Sequence, residues 1–363
     1  MLIKLMKNIR HSLSFILFAA FCGGLANAAG QPPAAQPARE LLFLTWSDYM
    51  DPAVIREFER KFKAKVRTVY FETDDVRDDM LAETDGRGYD VVVVNSVSFP
   101  LYRRRDWLLP ISEAEVPHLA HIDPRWKNAL PAATGYGAPY AWGTTGIAYR
   151  TDLVPEPITR WRQILQPPEA LRGKILMVKN ARDVIGVALR TLGYSTNSAD
   201  PRELAEAEQM LLAQKPYVKG YSYVSLGAES ELVKGEIAAA MLYNGDALQL
   251  KEQDNRIAYA VPQEGTELWI DYLTVLRSSA NQKLALDFIN FLNEPKIAAR
   301  NARFVYFATP NKAAERFLPA KFLRDPLIYP GEDVLKKAEF LAELPPRAIK
   351  QRNSIFVKLL GKP

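Results

Sequence analysis

Leu41-Leu42-Phe43-Leu44-Thr45-Trp46 is an apolar run of strand length. Asp51-Pro52, a few residues on, is a helix start, with the Asp able to cap and the Pro at the first helical position. Val54, Ile55, Phe58 and Phe62 then fall on one face of a helix. Residues 66–71 predict a second strand and residues 74–82 a short helix with Val76 and Met80 on one side. Tyr89 to Val94 (YDVVVV) predicts a third strand, its continuous β-branching typical of a buried parallel strand. Strand, helix, strand, helix, strand implies a right-handed parallel α/β sheet. Ligands in such sheets sit beyond the carboxyl ends of the strands. Two of those ends are Trp46 to Tyr49 and Asn95-Ser96.

The theme recurs downstream. Residues 174–178 predict a strand, and residues 183–192 a helix closed by Gly193. Asp200-Pro201 opens another helix, reaching to about Ala213. Residues 237–243 (IAAAMLY) form an apolar strand that ends in Asn244-Gly245-Asp246, and residues 269–276 form one more. Residues 281–292 predict an amphipathic helix with Leu284, Phe288, Phe291 and Leu292 on its inner face. With 363 residues, 48% apolar and 25% charged, the chain has room for two globular lobes with a cleft between them.

The N-terminus reads as an export signal. Lys4, Lys7 and Arg10 precede an apolar run from Leu13 to Phe21, and Ala26-Asn27-Ala28 is a small-residue cleavage site. Residues 1–28 are therefore expected to be a signal peptide, and the Pro/Ala-rich residues 29–39 a flexible lead-in. Cys22 is the only cysteine and lies inside the expected signal. Phe21 before it lacks the small side chain that lipidation requires, so acylation at Cys22 is not expected. Much of the formal charge of +5 belongs to this N-terminus, and the remaining body is close to balanced. Net charge thus gives no ground for a nucleic-acid partner.

Motifs for catalysis are missing. The sequence contains no G-x-S-x-G, phosphate-binding loop, G-x-G-x-x-G or H-E-x-x-H. His118 and His121 are the only histidines outside the expected signal and read as a surface pair. No enzyme activity, metal or cofactor is expected. Aromatic residues and acids do gather at strand ends: Trp46, Tyr49, Trp142, Tyr243 and Trp269, with Asp48, Asp183, Asp246 and Asp271. Aromatic faces attract a cation, carboxylates grip an ammonium, and aromatic walls bury the methylenes between two amines.

Collinear motifs across the chain sharpen this. Trp46-Ser47-Asp48-Tyr49, Tyr89 to Val93, Pro139 to Ile147 (PYAWGTTGI), Gly173-Lys174-Ile175, Ala188 to Ser195, Tyr243 to Asp246, Glu264 to Asp271 (EGTELWID) and Thr309-Pro310-Asn311 follow in order. The chain resembles the bacterial periplasmic spermidine/putrescine-binding proteins, extracellular components of ABC importers. The resemblance implies a two-lobed periplasmic-binding-protein type II fold, an α/β architecture with a double crossover hinge. It places the first lobe at residues 40–144 and 268–314 and the second at 145–267 and 315–363. The hinge is expected near Gly143 to Gly146 and Glu264 to Leu268.

The resemblance also implies a ligand set. Trp46, Ser47 and Tyr49 would supply wall and amine contacts, with Asn95 or Ser96 at the third strand end. Asp183 stands where the family has Glu, Asp246 matches the acid of putrescine-type members, and Asp271 with neighbouring Trp269 matches the acid that grips a primary amine. Trp142 is assigned to packing or the hinge. Asn180 replaces an acid, Val97 and Ser98 replace aromatics, Tyr243 replaces a Trp, and Phe307 stands where Tyr is usual. These departures favour a diamine such as putrescine over spermidine. The expectation is a periplasmic monomer that closes on a polyamine and delivers it to an inner-membrane ABC permease. The alternatives are another small cationic or amino-acid-like solute, or a role as a periplasmic sensor.

Overall fold

The computed structural model describes residues 39–361. The expected signal peptide, Cys22 and all but the last residue of the lead-in lie outside that range. Arg39 belongs to the first strand rather than the lead-in: it pairs with Ala64 and donates from Nη2 to the Phe62 carbonyl at 2.9 Å.

Ten strands are present among the described residues: β1 Arg39–Thr45, β2 Ala64–Tyr70, β3 Val91–Asn95, β4 Ala138–Arg150, β5 Ile175–Met177, β6 Val218–Tyr221, β7 Ala239–Tyr243, β8 Ile257–Ala260, β9 Glu267–Val275 and β10 Glu339–Phe340. They run in the order β2-β1-β3-β9-β4-β7-β5-β6, with β10 against β9 and β8 against β4. β1 pairs in parallel with β2 and β3, as the helical crossovers require. The sheet is nevertheless mixed, not wholly parallel. β9 lies antiparallel to both β3 and β4, because the chain re-enters the first lobe from the second and meets the sheet from its opposite end.

The helix starts follow local chemistry. Asp51 Oδ1 accepts from the Ala53 amide with Pro52 in the first turn, and Asp200 does the same for Arg202 ahead of Pro201. The helix carrying Asp183 runs from Ala181 to Thr191. Its cap is Asn180, so Asp183 sits within the first turn.

β4 joins the two halves. Residues 138–144 pair with β9, whereas residues 145–150 pair with β7 and β8. A continuous strand runs through the expected hinge at Gly143 and Gly146, which glycine masks because it weakens any strand pattern. Gly143 is needed for close approach: a Cβ there would lie 2.2 Å from Asn244 Oδ1 and 2.5 Å from the Trp269 ring. Thr266 Oγ1 donates to the Thr145 carbonyl and ties the second crossing to the first.

One core gathers Phe43, Phe58, Val91 to Val94, Phe288 and Phe291; a second gathers Ile175, Val184, Leu204 and Leu211. Residues 315–363 do not stay together on the second lobe. Ile328 and Leu335 pack on the first core, and Leu318 and Phe322 on helix Pro295–Val305 beside it. Only the stretch from Leu344 through the C-terminal helix Pro346–Leu360 joins the second core. The apolar faces of these short segments select their partner, which sequence order does not reveal.

Candidate binding site

The site lies where β4 and β9 cross between the cores. β9 sends Trp269 and Asp271 to the same side, two residues apart. The loop after β1 brings Tyr49, whose hydroxyl donates to Asp271 Oδ2 at 2.8 Å. From the other half, Tyr243 at the end of β7 donates its hydroxyl to Asp183 Oδ2 at 2.8 Å.

An aromatic row links the two tyrosine–aspartate pairs. The Tyr243 ring stands 6.0 Å from Trp269, edge to face, and Trp269 stands 4.7 Å from Phe307 at 88°. Phe307 in turn meets Tyr49 at 5.8 Å, and Tyr49 meets Tyr140 at 5.4 Å. The Tyr140 hydroxyl donates to the Tyr49 carbonyl and accepts from Asn301, which fixes the row from behind. The indole N–H of Trp269 is buried and has no protein acceptor.

Asp246 joins from the first turn of helix Asn244–Gln253. Gly245 before it lies so close to Phe307 that a Cβ would come within 2.4 Å of the ring. Burial, then the charge of Asp271, holds the Tyr49 phenol well above its ordinary value, and Asp246 adds a smaller push in the same direction. The two acids thus address one region, and Asp271 is only 8% exposed.

All three acids are held high. Burial pushes Asp271 up to about 7, with the charge of Asp74 adding to it against the Tyr49 hydrogen bond and Arg77. Burial takes Asp183 to about 7, opposed by the Tyr243 hydrogen bond and the Arg182 guanidinium. Burial and the nearby charge of Asp48 take Asp246 to about 7. Desolvated acids of this kind gain most from a cation that enters with its own hydrogen-bond donors.

The other expected contacts are placed differently. Trp46 is half-buried against Phe71 at 4.5 Å and faces Tyr223, of the loop after β6, at 6.5 Å. Its ring neighbours are thus Phe71 and Tyr223 rather than the rings of the Trp269 row. Ser47 is exposed. Asn95 Oδ1 accepts from the Val97 and Ser98 amides and shapes the turn after β3, and Ser96 Oγ donates to the Leu341 carbonyl. Asn95 Oδ1 and Ser96 Oγ are thus engaged within the protein itself. Trp142 stacks on Trp126 at 4.1 Å. His118 Nδ1 lies 2.9 Å from the Asn290 carbonyl oxygen, and among the described residues no three His, Cys, Asp or Glu side chains converge as metal ligands.

Three residues near the site went unread in the sequence. Tyr223 could have been found only as an aromatic just past a short strand. Arg77, fully buried, bonds Asp74, Asp78, Ser98 and Tyr102 and bears on Asp271; it sits in a helix that looks solvent-facing by pattern. Glu267 is an acid in the strand of the Trp269 motif and is 1% exposed.

A two-core α/β body with an acid-lined aromatic row at its crossing strands is the architecture of a solute trap. A family model for bacterial extracellular solute-binding proteins matches residues 53–330. The chain belongs to that family. Solute-binding proteins of this kind bind and do not catalyse. The chain is 29% identical over 302 residues to the spermidine/putrescine-binding periplasmic protein of Escherichia coli, covering 83% of this chain and 86% of that one. It is 30% identical over 321 residues to a norspermidine sensor of Vibrio cholerae, with 88% of each covered. The solved spermidine/putrescine ABC transporter substrate-binding protein of Streptococcus pneumoniae superposes with a TM-score of 0.76 at 26% identity, covering 89% of this chain and 98% of that one. This solute-binding protein thus shares both fold and sequence with proteins named for polyamines. Among its described residues no helix is long and apolar enough to cross a membrane.

Proposed function

We propose that this protein is a periplasmic polyamine-binding component of an ABC importer, with a diamine such as putrescine as its preferred ligand. The carrying observation is the row Tyr243–Trp269–Phe307–Tyr49, with Asp183 hydrogen-bonded at one end and Asp271 at the other. A diamine can place one ammonium at each end and lay its methylenes along the rings, at about 0.8 kcal/mol per buried CH₂. Asp246 supplies a third acid beside the row.

Asn180 supports the shorter ligand. Its Oδ1 accepts from the Arg182 amide at 2.9 Å as a helix cap and offers no charge for a third amine. The neighbouring Arg182 guanidinium adds positive charge at that end, which disfavours a longer polycation. The ligand is captured by closure of the two lobes about the crossings of β4 and β9, a hinge motion of the usual kind, and the closed form is presented to the permease. A Kd near micromolar, about −8 kcal/mol, suits a scavenger.

Titration calorimetry with putrescine, cadaverine, spermidine, agmatine and common amino acids tests the reading. Putrescine is expected to bind at least tenfold more tightly than spermidine. Binding of an amino acid with no amine bound would overturn it. A sensor role is the second reading, and the 30% identity to a norspermidine sensor favours keeping it. Loss of putrescine uptake on deletion of the gene supports transport; unchanged uptake with an altered response to putrescine supports sensing.

A further inference from the structure

The loop that carries Tyr49 is held from behind by a single side chain. Asn301, on helix Pro295–Val305, is 5% exposed and uses both ends of its amide. Its Oδ1 accepts from the Asp51 amide at 2.9 Å, and its Nδ2 donates to the Tyr140 hydroxyl at 2.7 Å. The Tyr140 hydroxyl, on β4, donates in turn to the Tyr49 carbonyl at 2.7 Å. Asn301 thus holds the chain on either side of Met50, directly at Asp51 and through Tyr140 at Tyr49. Arg300 beside it adds a further tie, from Nε to Asp51 Oδ2 at 2.7 Å. A buried amide held this way has no water at hand to replace a lost partner.

The loop needs such restraint. Asp48, immediately before Tyr49, has a φ of 54°, a left-handed backbone in a residue other than glycine. Strain of this kind persists only where the surroundings over-determine it. On the far side of Tyr49 the hydroxyl reaches Asp271 Oδ2 at 2.8 Å. A shift of the loop by about 1 Å would take that contact beyond hydrogen-bond range. The aim of Tyr49 therefore depends on where its backbone is pinned, and the pins converge on Asn301.

We propose that Asn301 is a positioning residue of the binding site: through Tyr140 and the Asp51 amide it sets the Tyr49 hydroxyl on Asp271, and so orients that acid for an ammonium group. This rests on the polyamine reading above. Asn301 acts on the ligand only through Tyr49, and its neutral amide does so without bringing a charge beside the acid.

The test is a double-mutant cycle read by titration calorimetry with putrescine at pH 8, above the value of about 7 to which Asp271 is raised. Asn301→Ala and Tyr140→Phe are each measured in wild type and in Tyr49→Phe. In wild type each is expected to weaken putrescine about 3- to 10-fold, with the cost of Tyr49→Phe itself as the ceiling. In Tyr49→Phe, which has no hydroxyl left to aim, each should change Kd less than about twofold. A merely structural role would cost the same in both backgrounds, and equal costs overturn the proposal while the polyamine reading stands. Wild-type affinity in Asn301→Ala overturns it as well. If Asn301→Ala does not fold, Tyr140→Phe, which loses one oxygen and keeps the ring, decides by the same comparison. No binding of any amine to wild type sinks both the proposal and the reading beneath it.

Discussion

The Tyr49 hydroxyl donates to Asp271 at 2.8 Å across 222 residues of sequence. The loop after β1 and strand β9 therefore present their acid already oriented. Hydrogen bonds to a charged group contribute about 1.5–3 kcal/mol, so Asp271→Asn should weaken putrescine about 10- to 100-fold. Tyr49→Phe removes only the orienting bond and should cost less than Asp271→Asn. Calorimetry on both variants checks the order, and a tight-binding Asp271→Asn would remove Asp271 from the site.

Trp269 stands edge-on to Phe307 at 88° and is the centre of the aromatic row. A cation over an indole face is stabilised by about 0.5–2 kcal/mol. Trp269→Leu keeps an apolar filler and should weaken putrescine about 3- to 30-fold. Trp46→Leu should cost less, because the Trp46 ring meets Phe71 and Tyr223 rather than the rings of the row. Quenching of indole fluorescence by putrescine in wild type and its loss in Trp269→Leu would report the contact directly.

The acids make stability and affinity respond to pH in opposite ways. Asp246 in the folded protein stands at about 7, above the value near 4 of an unfolded chain. The folded state binds the extra proton between those values, so this group's contribution to stability is fullest below about pH 4 and is lost as pH rises toward 7. Asp246→Asn should therefore raise the ligand-free Tm above wild type at pH 8, with the gain shrinking toward pH 4. Putrescine needs the ionised form, so wild-type affinity should climb between about pH 6 and 8. Scanning calorimetry across this range checks both signs; a variant less stable than wild type at pH 8 contradicts the first.

Gly143 is held between Asn244 Oδ1 and the Trp269 ring. Gly143→Ala forces a methyl into 2.2 and 2.5 Å gaps at the junction of the two sheets. Overpacking of this kind costs about 1–3 kcal/mol. A lower Tm is expected together with weaker putrescine binding, since Trp269 must shift. An unchanged melt would mean that the crossing relaxes freely there.

The strands on either side of the cleft, the capped helices at Asp51 and Asp200, and the aspartates proposed for the site could all be picked out in order along the chain. Each depends on short-range regularities: apolar periodicity, a cap beside a proline, an acid beside an aromatic. The double life of β4 could not be read that way. Its two halves pair with strands ninety or more residues downstream, and its glycines mask it locally. Nor could the sequence tell that Asn95 Oδ1 and Ser96 Oγ turn back onto the backbone, or that Trp46 packs on Phe71 and meets Tyr223. Asn95 closes a local turn, whereas for Ser96 and Trp46 the outcome depends on which distant residue, Leu341 or Tyr223, reaches the side chain. The same holds for Glu267, which looks like one more surface acid until β4, helix Ala181–Thr191 and the C-terminal helix close over it and remove the water that would have held its charge.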